Sequence, residues 1–128
     1  MTLLLDTHTL LWFVEDEVAL SDHARAAIEN LDNTPVYSIV SVWEMAIKIS
    51  VGKLAVSRPL YPEFARVLQE RGFEQLQISY RHASEVARLP WHHRDPFDRL
   101  LIAQASVENL PIVSADTAFD DYPVTRIW

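Results

Sequence analysis

The chain has 128 residues, 49% hydrophobic and 23% charged, a balance that fits one compact domain with a real core and excludes a disordered chain. It contains no cysteine, which excludes disulfides and thiolate metal sites and fits a reducing, cytoplasmic setting. A net charge of −7 argues against a nucleic-acid binder that works through a basic face.

The opening MTLLLDTHTLLWFV is apolar, but it lacks a basic leader, is interrupted by Asp6 and His8, and is too short to span a bilayer. No membrane association is therefore expected. TLLL, ahead of Asp6, is the continuous apolar run of a strand buried on both faces of a parallel sheet. A helix follows from near Thr9, capped by Asp6 or Thr7, with His8 packed within it. Glu15, Asp16 and Glu17 read as a solvated loop. PVYSIV, from Pro35, is a second strand candidate. The segment from Ser41 to Val51 carries only Glu44 and Lys48 as charges, which predicts a largely buried helix. Ser41 and Glu44 have the spacing of a capping box, and Glu44 with Lys48 that of an i,i+4 ion pair.

Leu60, Phe64, Val67, Leu68 and Arg71 recur at helical spacing, with Gly72 as the stop. LQIS, around Leu76, is a short strand signal. Ala83, Val86 and Ala87 suggest a helix opened by Ser79 and closed by Pro90. In HHRDPFDRLLIAQA, Asp95 before Pro96 is a good helix start: the carboxylate accepts orphan amide hydrogens, and proline in the first turn loses no hydrogen bond. Asp98 then falls in the first turn, near the positive end of the helix dipole, on one face with Ile102 and Ala105. His92 and His93 are adjacent in a loop bounded by Pro90 and Pro96, a spacing that does not bring two rings onto one ion, and they read as surface-loop residues. PIVS, before Asp116, is a further buried strand, and VTRIW ends the chain as an edge strand.

Strands alternating with helices imply right-handed crossovers and a mostly parallel sheet. In such a sheet the carboxyl ends of strands and the amino ends of helices share one edge, where ligands bind. Asp6, Glu44, Asp98 and Asp116 all fall on that edge. Each has an ordinary use as a cap or ion pair, but together they repel unless a cation sits among them. Carboxylates without cysteine, and without a spaced histidine pair, favour Mg²⁺ or Mn²⁺ over zinc. Hard ions there suit phosphoryl chemistry, in which metal-activated water attacks a phosphodiester. The charge objection then weakens: setting aside these four acids and Asp95 leaves 13 acidic against 11 basic residues, a balance of −2. Arg94 and Arg99, beside the acids, are candidate phosphate contacts.

At these residues the chain resembles the PIN-domain family, and within it the VapC-type toxins of toxin–antitoxin pairs. The resemblance spans LLLDTHTLLW, SIVSVWEMAIKISVGKL, HHRDPFDRLLIAQA and IVSAD, with DPFDRLLIAQA its most specific part. It implies a three-layer α/β/α fold around a parallel sheet, as a single domain over residues 1–128, and a metal-dependent endoribonuclease. Carried over position by position, Asp6, Glu44, Asp98 and Asp116 match the family's acidic metal-binding residues. Asp95 takes a supporting or capping place, and Thr7 and Ser114 stand where similar proteins carry hydroxyl residues near the metal. Asp120 and Asp121 are alternatives to Asp116, which the spacing after PIVS favours. The resemblance also implies an RNA substrate, a homodimer and an inhibiting antitoxin protein, with Trp12, Phe13, Trp91 and Trp128 as aromatic candidates for interfaces. Three other readings share the acidic edge. They are a phosphatase with Asp6 as nucleophile, a Mg²⁺-binding phosphoacceptor domain, and an interaction module in which the acids only cap helices.

Overall fold

The computed structural model describes residues 1–128. Strand β1 (Thr2–Leu5) leads into helix α1 (Thr7–Val14), and helix α2 (Asp22–Glu29) follows. Strand β2 (Thr34–Ser38) runs directly into helix α3 (Ile39–Ser50). Helix α4 (Ala65–Glu70), entered through a wide turn over Leu60–Phe64, leads to strand β3 (Glu74–Leu76). Helix α5 (Tyr80–Glu85) and a tight turn over Val86–Arg88 precede helix α6 (Pro96–Glu108) and strand β4 (Ile112–Val113). A second tight turn, Thr117–Asp121, connects to strand β5 (Arg126–Ile127).

The five strands form one parallel sheet in the order β3-β2-β1-β4-β5. Side-chain alternation along β1 builds two cores. Leu3 and Leu5 join Phe13, Ala24, Ile28, Met45 and Leu68 on the face covered by α1, α2, α3 and α4. Leu4 points the other way, into Val36, Leu101, Ile102, Ile112 and Phe119 beneath α6. The register agrees with this alternation: Leu4 pairs Ile112, and Leu5 pairs Val113. The architecture is therefore the expected three-layer α/β/α fold.

Several local expectations are corrected. PVYSIV is not strand throughout, because Ser38 caps a helix over Val40 N–H at 3.1 Å and Ile39 and Val40 form its first turn, with Val40 buried. Ser41 is thereby inside α3, so Ser41 and Glu44 are no capping box. Nor is α3 buried all round. Glu44 faces inward, while Trp43, Ile47 and Val51 lie exposed. Helix α2 had no place in the sequence reading, because only Ala24 and Ile28 bury, a stripe too thin to show as a period. His8 lies on α1 but is exposed, its ring 5.6 Å from Trp12. Glu15 is no free loop charge, since it accepts hydrogen bonds from Ser57 N–H and Oγ.

Helix α6 is the central strut. Ser38 donates to Gln104 Oε1 at 2.6 Å, and Gln104 Nε2 donates to Gln77 O at 3.3 Å, tying α6 to the ends of β2 and β3. Because β1 belongs to both cores, Leu4→Ala and Leu5→Ala should each cost about 2–5 kcal/mol. Urea unfolding followed by tryptophan fluorescence and by far-UV circular dichroism should then trace one transition.

Candidate functional site

The chain grows from β1 to β2 and β3 on one side, then returns to place β4 on the other side of β1. The switch in direction opens a crevice at the carboxyl ends of β1 and β4, the position where open α/β sheets bind ligands. Asp6 follows β1 immediately, and Ser114 and Asp116 follow β4. The amino end of α6 and the inner face of α3 bring Asp98 and Glu44 to the same crevice.

Asp6 is 5% exposed and caps α1: its Oδ1 accepts from Thr9 N–H at 2.8 Å, and its Oδ2 from the Ser114 hydroxyl at 2.5 Å. Burial pushes its pKa above the usual carboxylate range, against those hydrogen bonds. Glu44 is also buried. It accepts from Thr7 Oγ1 at 2.7 Å on one oxygen and from Lys48 Nζ at 2.6 Å on the other. The same Thr7 oxygen lies 3.0 Å from Ser41 Oγ, and Thr7 contacts Glu44 as Ser114 contacts Asp6, so both hydroxyl residues named from the sequence meet an acid of the crevice. Lys48 does more than pair along the helix: hydrogen bonding to Glu44, with the charges of Asp95 and Asp98, raises its own pKa.

Asp95 caps α6, accepting from Phe97 and Asp98 N–H at 2.8 and 3.1 Å. Asp98 bears the consequence of the crowding. Burial first, then the charges of Asp95, Asp6 and Glu44, push its pKa from 3.8 up to about 7, against the charge of His93. Asp116 is half-exposed and caps the turn after β4 through Ala118 N–H at 2.9 Å. Ser114 Oγ in turn accepts from Asp116 N–H at 3.0 Å, which couples Asp116 to Asp6 through one hydroxyl.

His93 is the residue that sequence reasoning left out. It is no surface-loop residue: its Nε2 lies 2.9 Å from Asp98 Oδ2 and 3.6 Å from Asp116 Oδ2. One donor atom each from His93, Asp98 and Asp116 falls within 4.8 Å of the others, close enough to share a cation. Only its position two residues before Asp95 hinted at this, since that places the loop against the first turn of α6. His92 stays outside, exposed and edge-on to Tyr122 at 5.3 Å.

Arg99 is a second correction. It is 3% exposed, and its guanidinium donates to the carbonyls of Val86, Leu89, Pro90 and His93 and to Tyr122 Oη. Both its terminal nitrogens are taken by the turn at Val86–Leu89 and the loop that carries His93, which commits the guanidinium to holding that segment. Trp91, 76% exposed, lies over the same guanidinium at 4.0 Å. Arg94 is exposed and remains free. Asp120 is held by Arg126 through both oxygens, at 2.9 and 3.1 Å, and so is committed away from the crevice. Phe13 is a core residue, and Trp12 stacks on Trp128 at 5.9 Å.

Two outcomes follow from this geometry. Arg99→Ala strands buried carbonyls and should lower stability by about 3 kcal/mol in urea titration, with Arg99→Lys restoring only part. For Asp98, the folded chain holds its proton up to about pH 7, whereas the unfolded chain releases it near 3.8. This contribution to stability is present below the lower value and is lost as pH rises through the higher one. Metal-free protein should therefore melt lower at pH 7.5 than at pH 5.5. Asp98→Asn should remove most of that difference and raise the neutral-pH melting temperature, by about 3–5 °C for each kcal/mol recovered.

A family model described as PIN domain matches residues 3–124. VapBC2 from Rickettsia felis, solved bound to a DNA fragment from its promoter, superposes with a TM-score of 0.72 at 16% identity, over 98% of this chain and 97% of that one. DNA-bound VapBC from Salmonella typhimurium gives 0.63 at 20% identity, over 98% and 96%. FitAcB from Neisseria gonorrhoeae gives 0.61 at 21%, over 97% and 95%. At these identities the likeness is one of fold. No curated protein is significantly similar to the chain in sequence. The family match takes in Asp6, Glu44, Asp98 and Asp116 and every strand except the last, and with it the chain is shown to belong to the PIN domain family.

Proposed function

We propose that this chain is a metal-dependent endoribonuclease, the toxin of a VapBC-type toxin–antitoxin pair. In this reading Asp6, Glu44, Asp98 and Asp116 hold Mg²⁺ or Mn²⁺. The observation that carries it is the crowding of carboxylates at one sheet edge. Burial, together with the charges of Asp95, Asp6 and Glu44, lifts the Asp98 pKa to about 7, with only Lys48 and His93 beside these acids as balancing groups. A family whose members are nucleases supplies the use for such an arrangement.

The donor set fits a hard divalent ion. Carboxylates retain lone pairs after capping, so Asp6 and Asp116 can hold their helices or turns and still face a cation. A bound cation supplies two things here: it lowers the pKa of water, and it neutralises charge developing on phosphodiester oxygens. The chain's own residues do the positioning. Ser114 and Thr9 fix the plane of the Asp6 carboxylate, Thr7 and Lys48 fix that of Glu44, and Asp95 holds the first turn of α6 so that Asp98 points into the crevice. Arg94, exposed on the loop beside them, is placed to meet a phosphate.

A phosphatase or phosphoacceptor requires an accessible nucleophilic carboxylate at Asp6. Its burial and the engagement of both oxygens count against either. Pure capping does not cover Glu44, which caps nothing and is instead buried against Thr7 and Lys48. The partners this reading implies are an antitoxin protein and a second copy of the chain. The VapBC and FitAB assemblies among the structural neighbours support the former, and the exposed Trp43 and Ile47 on α3, with Val51 just after it, offer apolar surface for a protein contact. No helix is long and apolar enough to cross a membrane.

Purified protein incubated with a cellular RNA pool and Mn²⁺ should leave discrete new 5′ ends on sequencing, and none with chelator. Asp98→Asn and Glu44→Gln should cut that rate by about 100-fold or more. Undiminished cleavage by well-folded Asp98→Asn protein, or cleavage in chelator, would sink the proposal.

A further inference from the structure

One nitrogen in the crevice lacks a task. His93 Nε2 is buried and makes no hydrogen bond, although Asp98 Oδ2 stands only 2.9 Å away. That distance suits a hydrogen bond, so direction is what fails: the oxygen lies off the axis of the ring nitrogen. Two donors on one cation stand in this relation. Ligand atoms about 2.1 Å from a six-coordinate ion and at right angles to each other are about 3.0 Å apart. Their lone pairs aim at the ion, not at each other. The second spacing, 3.6 Å from Nε2 to Asp116 Oδ2, falls in the same range for a looser edge.

Resting on the metal-centre reading above, the geometry points to His93 Nε2 as a further protein donor, beside Asp98 and Asp116, to the divalent ion of this crevice. The ring is held for that position. His93 N–H donates to Tyr122 Oη at 2.9 Å, its carbonyl accepts from Arg99 at 3.3 Å, and its ring lies edge-on to Phe119 at 6.2 Å. One contact must open. Asp95 N–H approaches Nδ1 at 3.3 Å, and ligation through Nε2 leaves the ring proton on Nδ1. This is the longest hydrogen bond the loop makes through a backbone N–H, and a small turn of the ring releases it. The chemical consequence is selectivity. An imidazole nitrogen is a softer donor than a carboxylate oxygen, so it moves the centre's preference from Mg²⁺ toward first-row transition ions such as Mn²⁺.

The test uses the full-length chain and Mn²⁺ alone. Pulsed electron paramagnetic resonance of the bound ion should show coupling to a directly ligated ¹⁴N. That coupling should vanish in His93→Gln and survive in His92→Gln. By calorimetry, His93→Gln should weaken Mn²⁺ binding about tenfold and Mg²⁺ binding less than about threefold. The wild-type spectrum requires no variant to fold. Mn²⁺ bound without ¹⁴N coupling, with binding abolished by Asp98→Asn, overturns the His93 assignment and leaves the acidic centre standing. Coupling that persists in His93→Gln overturns it likewise. Wild-type protein that binds neither ion overturns both readings together.

Discussion

The functional edge depends on keeping a carboxylate closed in at the end of the central strand. Asp6 sits where β1 stops, and its two oxygens are taken by Thr9 N–H and the Ser114 hydroxyl. One acid thereby starts α1, joins the segment after β4 to the segment after β1, and marks the crevice between them. Burying a carboxylate is costly unless each oxygen finds a donor. Here the donors come from the chain's own turn and from a residue 108 positions away, so the site forms only when the sheet does.

The same edge gathers more negative charge than folding alone favours. Asn or Ser would serve as caps at Asp95 and Asp116 without mutual repulsion. Asp98 registers the strain of the arrangement as a carboxyl that keeps its proton to about pH 7. Lys48 is bonded to Glu44 and meets Asp95 and Asp98 only through longer-range charge interaction. On the proposed function, a bound divalent cation would relieve this crowding.

The loop from Pro90 to Asp95 is held by polar contacts from outside it. It carries little apolar burial of its own, and its order comes from Arg99 reaching out of α6 to its carbonyls, with Tyr122 accepting from His93 N–H and donating to Pro90 O at 2.8 Å. A charged side chain that seems available for phosphate is instead the frame on which His93 is hung. Trp91, stacked on the same guanidinium, stays at the surface for the same reason.

Periodicity made β1 and β4 legible, because strands buried on both faces read as continuous apolar runs, and Asp95-Pro96 and Gly72 marked helix ends through local backbone chemistry. The start of α3 was misread because Ile39 and Val40 suit a strand as well as a buried helix turn, and only the Ser38 cap decides between them. By itself the sequence determined the alternating α/β order, the parallel sheet and which four acids lie along its carboxyl edge, since all of these follow from local pattern and the handedness of crossovers. Only the tertiary structure decided that His93 belongs with those acids and Arg99 does not. Direction and burial of a side chain in a loop depend on what the rest of the chain packs against it, and no spacing in the sequence encodes that.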